Sequence, residues 1–207
     1  MPRKKLIYTH EAPYHIWARS NNREWFYVDK EVLWNIFVTE LNELTIEFDF
    51  AIHAFVLMDN HYHLIATAGE TYNLGIVMQR LQKRVATAVN RISGRINHVF
   101  GGSYKASLII SPENFSTCLK YVLRNPVRAG MVSHVECYRF SNAIGVGKQW
   151  EVTLTSPICT RKMFLEDDSP IRWLNMADTV ERSETIKKAL RKTIFNLKDR
   201  KRRKLIF

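Results

Sequence analysis

Two apolar segments meet at the octapeptide Met58-Asp59-Asn60-His61-Tyr62-His63-Leu64-Ile65, around which the rest of the chain is organised. The Asp59-Asn60 pair predicts a tight hairpin turn, because both residue types tolerate a positive φ angle. Side chains alternate along a strand, so His61 and His63 are predicted on the same face. Two imidazoles placed in this way can share a divalent metal ion, although a partly exposed strand that happens to carry two histidines has the same spacing.

The chain is strongly basic. Its 207 residues include 31 Lys and Arg against 20 Asp and Glu, which gives a formal net charge of +11. A globular chain this basic most often has a polyanionic partner, and nucleic acid is the first candidate; a merely basic protein is the alternative. Hydrophobic residues make up 46% of the chain, enough for the core of one domain with an appendage or of two small domains.

Several classes of protein are disfavoured by the composition. The three cysteines, Cys118, Cys137 and Cys159, form no Cys-x-x-Cys motif, which argues against a disulfide scaffold or a zinc knuckle. The basic residues at the start are followed by an apolar run far too short for a signal peptide. No segment approaches the roughly 20 apolar residues of a membrane span. We therefore expect a soluble cytoplasmic protein with no membrane partner.

A basic stripe follows the clearest predicted helix, which runs from residue 73 to about residue 91. The apolar residues of this helix recur at helical spacing, and the basic residues lie roughly 90° away from them. The stripe consists of Arg80, Lys83, Arg84, Arg91 and Arg95. The segment contains no acidic residue that could pair with them. A stripe of this kind is typical of contact with backbone phosphates, and a solvated face is the alternative.

A second helix presents a phenol and a carboxamide. Ser111-Pro112 predicts its start and Pro126 its end. Tyr121 and Asn125 are four residues apart, so they lie at nearly the same angular position on the helix. The sequence therefore predicts that both side chains project together from its last turn.

These groups together suggest one reaction. A tyrosine hydroxyl can attack a DNA phosphodiester, leaving a covalent phosphotyrosine and a free 3′-hydroxyl. A metal ion bound by His61 and His63 would polarise the phosphate oxygens, and the carbonyl of Asn125 could supply a third ligand. Mixed nitrogen and oxygen ligands with open positions suit Mg²⁺ or Mn²⁺ better than a closed zinc site.

Longer motifs carry a family resemblance. His61-Tyr62-His63 is a His-hydrophobic-His motif, preceded by Tyr14-His15-Ile16 and Asn21-Asn22-Arg23. Residues 121–130 read Tyr-Val-Leu-Arg-Asn-Pro-Val-Arg-Ala-Gly. With these motifs, residues 13–142 resemble the single-tyrosine HUH transposases, and in particular the REP-associated tyrosine transposases of bacteria.

The resemblance implies an α+β domain with a ferredoxin-like antiparallel sheet and helices packed on one side. It also implies a metal-dependent endonuclease and strand-transferase, which cleaves single-stranded DNA next to imperfect hairpins through a covalent 5′-phosphotyrosine. His61 and His63 match the metal ligands of that family, Tyr121 matches the nucleophile, and Asn125 matches the residue that completes the metal site. Arg124 and Arg128, within the tyrosine motif, join the predicted DNA-binding set. Such an enzyme would work at the bacterial nucleoid, as a monomer or a homodimer.

Some positions depart from the family pattern. Asp59 stands where proline is common, Leu123-Arg124 replaces a His-Leu pair, and residues 138–142 only faintly match Trp-Ser-Ser. A regulator on the same scaffold that binds hairpin DNA or RNA without cleaving it is therefore an alternative. A replication nicking enzyme is less favoured, because the chain lacks a Tyr-x-x-x-Tyr pair and a Walker motif.

Three further residues have open roles. His53 lies in an apolar strand and is predicted to be a hydrogen-bonded core residue. His15 fits either a core position or a place beside the metal site. Tyr104 could stack on a base, although a core or rim position is favoured.

The C-terminal part lies outside the resemblance. We divide the chain into an HUH-type domain, residues 1–142, and a basic, partly helical extension, residues 143–207. A helix is predicted from residue 184 to residue 198. Between Lys187 and Lys204 ten basic residues accompany one acidic residue, Asp199, as in an arm that contacts DNA or in a solvated tail.

Overall fold

The computed structural model describes residues 6–142 and 169–197. The predictions made for residues 143–168 and 198–207, which include much of the basic tail, lie outside the described residues. Within the two described ranges, no helix is both long enough and apolar enough to cross a membrane.

A five-stranded sheet forms the centre of the fold. Its strands are β1 (Tyr14–Arg19), β2 (Ala51–Leu57), β3 (His61–Thr67), β4 (Lys105–Ile109) and β5 (Ile194–Phe195). The spatial order is β2-β3-β1-β4-β5; the first four strands are antiparallel to their neighbours and β5 is parallel to β4. The predicted hairpin is confirmed, because β2 and β3 pair directly and the Met58 N–H donates to the His61 carbonyl at 2.8 Å.

Six α-helices of the described ranges pack around the sheet. They are α1 (Lys30–Glu47), α2 (Leu74–Ser93), α3 (Pro112–Leu123), α4 (Asn125–Arg128), α5 (Ser169–Asn175) and α6 (Val180–Ala189). Local capping chemistry begins four of them, since Asp29, Asn73, Ser111 and Thr179 each accept a backbone N–H of the first turn. Gly94, at a φ angle of +67°, ends α2 in the left-handed conformation that glycine adopts without strain.

The order of the elements is β1-α1-β2-β3-α2-β4, and this confirms the predicted ferredoxin-like α+β class. The side chains of α1 and α2 share a core with Phe55 and Tyr62 on one sheet face, but the prediction of helices on one side only is incomplete, because helices cover the other face as well. Val56 and Ile65 point to the other face, where they pack with α3 and α6. Both faces are covered because the central strands are apolar on both faces.

The C-terminal segment belongs to the second core. Ile186, Leu190 and Phe195 are at most 4% exposed and pack with α3. The predicted helix from residue 184 to residue 198 is wrong in its second half, because α6 ends at Ala189 and the chain then pairs with β4. Tertiary pairing overrides the helical spacing of the apolar residues here. The division of the chain at residue 142 stays a prediction.

Candidate active site

Three histidines meet on the sheet face opposite α1 and α2. His61 and His63 project from β3, and the register places His63 beside Trp17 and His61 beside Arg19 of β1. The rings of His15 and His63 stack with their centroids 5.1 Å apart, and the His61 ring lies edge-on to His63 at the same distance. The prediction that His61 and His63 share a face is confirmed, and His15 lies beside them.

Hydrogen bonding fixes the tautomer of His61. Asn60 Nδ2 donates to the Arg23 carbonyl at 2.9 Å, so the orientation of the Asn60 amide is set. Asn60 Oδ1 then lies 2.7 Å from His61 Nδ1, which must carry the proton because an amide oxygen only accepts. This leaves a lone pair on Nε2, the arrangement found in most metal-binding histidines.

His63 has a different partner. Its Nδ1 lies 2.9 Å from His15 Nε2, so one of these two nitrogens donates to the other. His15 is 2% exposed, and its Nδ1 has no hydrogen-bond partner among the described residues. If His63 donates from Nδ1, its Nε2 is free to bind a metal ion, as in His61.

All three imidazoles are neutral at neutral pH. Burial lowers the pKa of His15 to about 3. Burial, followed by the charge of Arg19, lowers the pKa of His61 to about 4, with Asp59 opposing. Burial is also the main cause that holds the pKa of His63 well below its ordinary value, followed by His15. A neutral imidazole is the form that coordinates metal ions.

Tyr121 lies against this cluster. Its ring is edge-on to His63 at 6.4 Å and to His15 at 6.5 Å, and the residue is 8% exposed. The helix α3 is held there by apolar residues on its inner face, including Leu119 and Val122. The Arg128 guanidinium lies 4.5 Å from the Tyr121 ring centroid, within cation–π distance.

Asn125 follows a bend in the chain. The helix α3 ends at Leu123, and Asn125 begins α4. Its Nδ2 donates to the carbonyls of Tyr121, at 3.0 Å, and Val122, at 3.1 Å. Because both partners are acceptors, the amide orientation is fixed and Oδ1 remains available as an oxygen ligand.

A cavity of about 270 Å³ brings the predicted site residues together. His61, His63, Tyr121 and Asn125 all line it. Four cationic side chains line the same cavity: Arg19, Arg128, Lys187 and Arg191. No carboxylate of the described ranges lines it. The cavity is therefore suited to an anionic ligand.

The donor set fits a divalent ion with open positions. In the described part of the chain, no three His, Cys, Asp or Glu side chains come together as a metal-ligand group. A metal ion at His61 and His63 would thus need a different third ligand, and the Asn125 carbonyl lines the same cavity. Two imidazole nitrogens and one neutral oxygen leave room for phosphate and water.

The basic stripe of α2 lies elsewhere. None of its residues lines the cavity, since α2 packs on the opposite sheet face. The stripe's own segment holds no acidic residue, but α1 supplies partners: Arg84 pairs with three of its glutamates, so the inference that this arginine is unpaired is wrong. Glu47, one of the three, also pairs with Arg80. The Arg95 guanidinium lies 3.6 Å from the Tyr27 ring centroid. DNA contact by Lys83 and Arg91 stays a prediction.

Other predicted residues take structural positions. Arg124 is 6% exposed, and its Nη1 donates to the Leu174 carbonyl at 2.7 Å, which does not fit the predicted DNA contact. His53 is buried and hydrogen-bonded to the Thr67 hydroxyl at 2.7 Å, so its predicted core role is confirmed. Tyr104 is partly buried against the first core.

Four charged or aromatic residues of the cavity were not among the predicted site residues. Trp17 and Arg19 alternate with His15 along β1, so the period of two held a signal for them. Lys187 and Arg191 had no such signal, because only the packing of α6 on α3 brings them to the cavity.

The chain matches a known protein family. Residues 8–125, more than half of the chain, match the family described as IS200-like transposases. The chain belongs to the IS200-like transposase family. The matched part of this transposase contains both strand histidines, Tyr121 and Asn125. The family resemblance carried by the sequence motifs is thus confirmed.

A solved structure of a related transposase has the same fold. A REP-associated tyrosine transposase bound to a REP hairpin aligns with a TM-score of 0.59 and 18% identity, over 68% of this chain and 82% of that chain. A structure described as a transposase from Deinococcus radiodurans aligns with a TM-score of 0.40 and 16% identity, over 59% of this chain and 94% of that chain. None of the curated protein sequences compared with this transposase matches it.

Proposed function

We propose that this IS200-like transposase is a metal-dependent endonuclease and strand-transferase for single-stranded DNA, with Tyr121 as its nucleophile. One observation carries the proposal: Tyr121, two neutral imidazoles, an amide oxygen and four cations line one cavity without a carboxylate among the described residues. Phosphoryl transfer to a tyrosine needs a hydroxyl nucleophile, metal ligands and a surface that binds an anion.

The reaction follows from these groups. The Tyr121 hydroxyl oxygen attacks the phosphorus of a phosphodiester, and the bond from phosphorus to the 3′-oxygen breaks. The DNA 3′-oxygen leaves as a hydroxyl after taking up a proton, and the 5′-phosphate stays on the tyrosine. Attack by another 3′-hydroxyl reverses the process and joins two strands. A divalent ion, Mg²⁺ or Mn²⁺, held by His61, His63 and Asn125 would neutralise charge on the phosphate oxygens.

The cavity residues position the reactants. Arg128 lies on the face of the Tyr121 ring and is close enough to attract the incoming phosphate. Arg19 stands beside His61 on the neighbouring strand and adds a second positive charge. Tyr121 is almost fully buried, so the scissile phosphate must enter the cavity to meet the hydroxyl.

We propose hairpin-containing single-stranded DNA as the substrate, because the structure of the REP-associated relative holds a REP hairpin. A larger cavity of about 580 Å³ adjoins the first and shares Trp17 and Arg19 with it. Its lining also includes Arg23 and Lys105. Trp17 is partly exposed, and an accessible aromatic ring among cations suits a single strand, whose bases stack and whose phosphates need charge. A DNA substrate is also consistent with the expected location of the protein at the bacterial nucleoid.

A single chain holds the complete set of groups. The Tyr121 ring lies 6.4 Å from His63 of the same chain, so no exchange of α3 between two copies is needed. We propose that one protomer can form the covalent intermediate by itself, whether or not the protein also dimerises.

The test is the covalent adduct. Labelled hairpin oligonucleotides with single-stranded flanks are incubated with Mn²⁺ or Mg²⁺ and the products are separated on a denaturing gel. We expect an adduct with the wild-type protein, and none with Tyr121→Phe or with a chelator. Tyr104→Phe, a tyrosine outside the cavity, serves as the matched control and should still react. Tight hairpin binding without an adduct would refute the proposal and favour a non-cleaving regulator.

A further inference from the structure

One wall of the catalytic cavity comes from a segment beyond the family match. Lys187 lies in α6, and Leu190 and Arg191 follow directly after it; all three line the cavity. The match to the transposase family ends at residue 125. The segment that carries these three residues therefore completes the lining of the cavity. All the other lining residues lie within the matched part or a few residues after it.

This segment is fixed in place. Ile186 and Leu190 are buried in the second core against α3. The following strand pairs with β4, where the Leu108 N–H donates to the Thr193 carbonyl at 2.9 Å. The guanidinium of Arg124, just after α3, donates to the Leu174 carbonyl at 2.7 Å. The packing therefore gives Lys187 and Arg191 defined positions at the cavity.

The wall carries a net positive charge. Lys187 Nζ contacts Glu184 Oε1 at 3.0 Å on the same helix, and this bond is the main cause that lowers the pKa of Glu184. Arg191 is exposed and has no ion-pair partner among the described residues. Glu184 does not line the cavity, so a ligand there would meet Lys187 and Arg191 but not the carboxylate that pairs with Lys187.

We propose that Lys187 and Arg191 bind the DNA backbone next to the scissile phosphate and hold the strand against the face that carries the histidines. This inference rests on the proposed function, since it assumes a DNA substrate. Lys187 lies in the last turn of α6 and Arg191 lies two residues beyond its end, and both reach the same cavity. Arg19 of β1 lines the same cavity, so an entering phosphate would meet cations from both segments of the chain.

Neighbouring lysines supply a matched control. Lys188 and Lys192 are also four residues apart, follow the first pair by one position, and are exposed without lining the cavity. Two double variants are compared. One carries Lys187→Gln and Arg191→Gln, and the other carries Lys188→Gln and Lys192→Gln. Each removes two positive charges from the same segment. Glutamine keeps part of the aliphatic stem, and thermal unfolding of both variants checks that the fold is retained.

The experiment measures binding of a hairpin oligonucleotide with single-stranded flanks over a range of salt concentrations, in full-length protein carrying Tyr121→Phe to prevent covalent reaction. Losing two single-strand phosphate contacts should lower the slope of log affinity against log salt by about 1.4. The same counterion term predicts roughly tenfold weaker binding at about 0.15 M salt. We expect this change in the Lys187 and Arg191 variant and a much smaller one in the control.

Equal binding by the two double variants would overturn the inference, and the proposed function would still stand if the wild-type protein forms the Tyr121 adduct. Absence of both binding and adduct in the wild-type protein would instead refute the proposed function itself. The adduct assay and the salt series thus separate the two failures.

Discussion

Replacing Arg84 by Met should destabilise the fold without weakening hairpin binding. The Arg84 guanidinium links α2 to three glutamates of α1, at 2.5 Å from Glu47, 3.2 Å from Glu43 and 3.8 Å from Glu40. An exposed ion pair contributes about 0.2–1 kcal/mol. Three pairs to one partly buried guanidinium, together with the repulsion left among the carboxylates, suggest a loss of about 2 kcal/mol. In a chain of this size that corresponds to a fall in Tm of roughly 4–8 °C.

The loss should depend on pH with a defined sign. Burial raises the pKa of Glu40, the charge of Glu43 raises it further, and Arg84 lowers it. Without Arg84, the pKa of Glu40 in the folded state rises further above its ordinary value of 4.5. The folded state then holds a proton that the unfolded chain has lost, so stability falls as pH rises through this window. We expect most of the deficit to disappear as pH falls towards 4.5.

Urea denaturation at neutral and at acidic pH measures the free energy of unfolding, and fluorescence anisotropy measures hairpin binding. Arg91→Met is the control, because Arg91 is exposed on the same helix and no ion pair of the described residues includes it. Its free energy of unfolding should stay within about 0.5 kcal/mol of wild type. Wild-type stability of Arg84→Met combined with weakened hairpin binding would refute the reasoning and restore the phosphate-contact interpretation of Arg84.

Two further predictions concern single buried contacts. His15→Leu removes the hydrogen-bond partner of His63 Nδ1, which lies 2.9 Å away, and should lower Mn²⁺ affinity about 10- to 100-fold. Isothermal titration calorimetry measures the affinity, and His15→Gln should restore part of it. Unchanged Mn²⁺ affinity in His15→Leu would show that His15 does not orient His63. Asn142→Ala leaves the buried Phe55 N–H, now bonded to Asn142 Oδ1 at 2.8 Å, without an acceptor, and should cost about 1–3 kcal/mol in urea denaturation; an unchanged midpoint would contradict this.

The elements that sequence reasoning located are those encoded over short distances. The Asp59-Asn60 pair predicted the hairpin that β2 and β3 form. The N-caps Asp29 and Ser111 mark helix starts through contacts two or three residues away. His61 and His63 follow from the same local logic, because strand alternation depends only on the backbone.

The failures concern partners that are distant along the chain. Arg84 looked unpaired because its glutamates lie on another helix, more than 35 residues earlier. Arg124 looked available for DNA because its acceptor, the Leu174 carbonyl, is 50 residues away. The helical spacing after residue 184 gave way to a strand once β4 offered an edge at Leu108 and Ile109. Composition and periodicity contain no information about such distant neighbours. Arginines that make contacts within the protein were therefore predicted to be exposed to DNA.

The absence of a carboxylate from the described lining of the cavity explains why Asn125 suits the third ligand position. A negative charge there would raise the pKa of His61 and His63 and repel the entering phosphate. Arg19 does the reverse, since its charge adds to burial in lowering the pKa of both imidazoles. The one carboxylate that raises the pKa of His61, Asp59, is ion-paired with Lys30 outside the cavity. In the proposed mechanism a neutral amide oxygen would thus provide a hard ligand, while the same cations would keep the imidazoles unprotonated and attract the DNA.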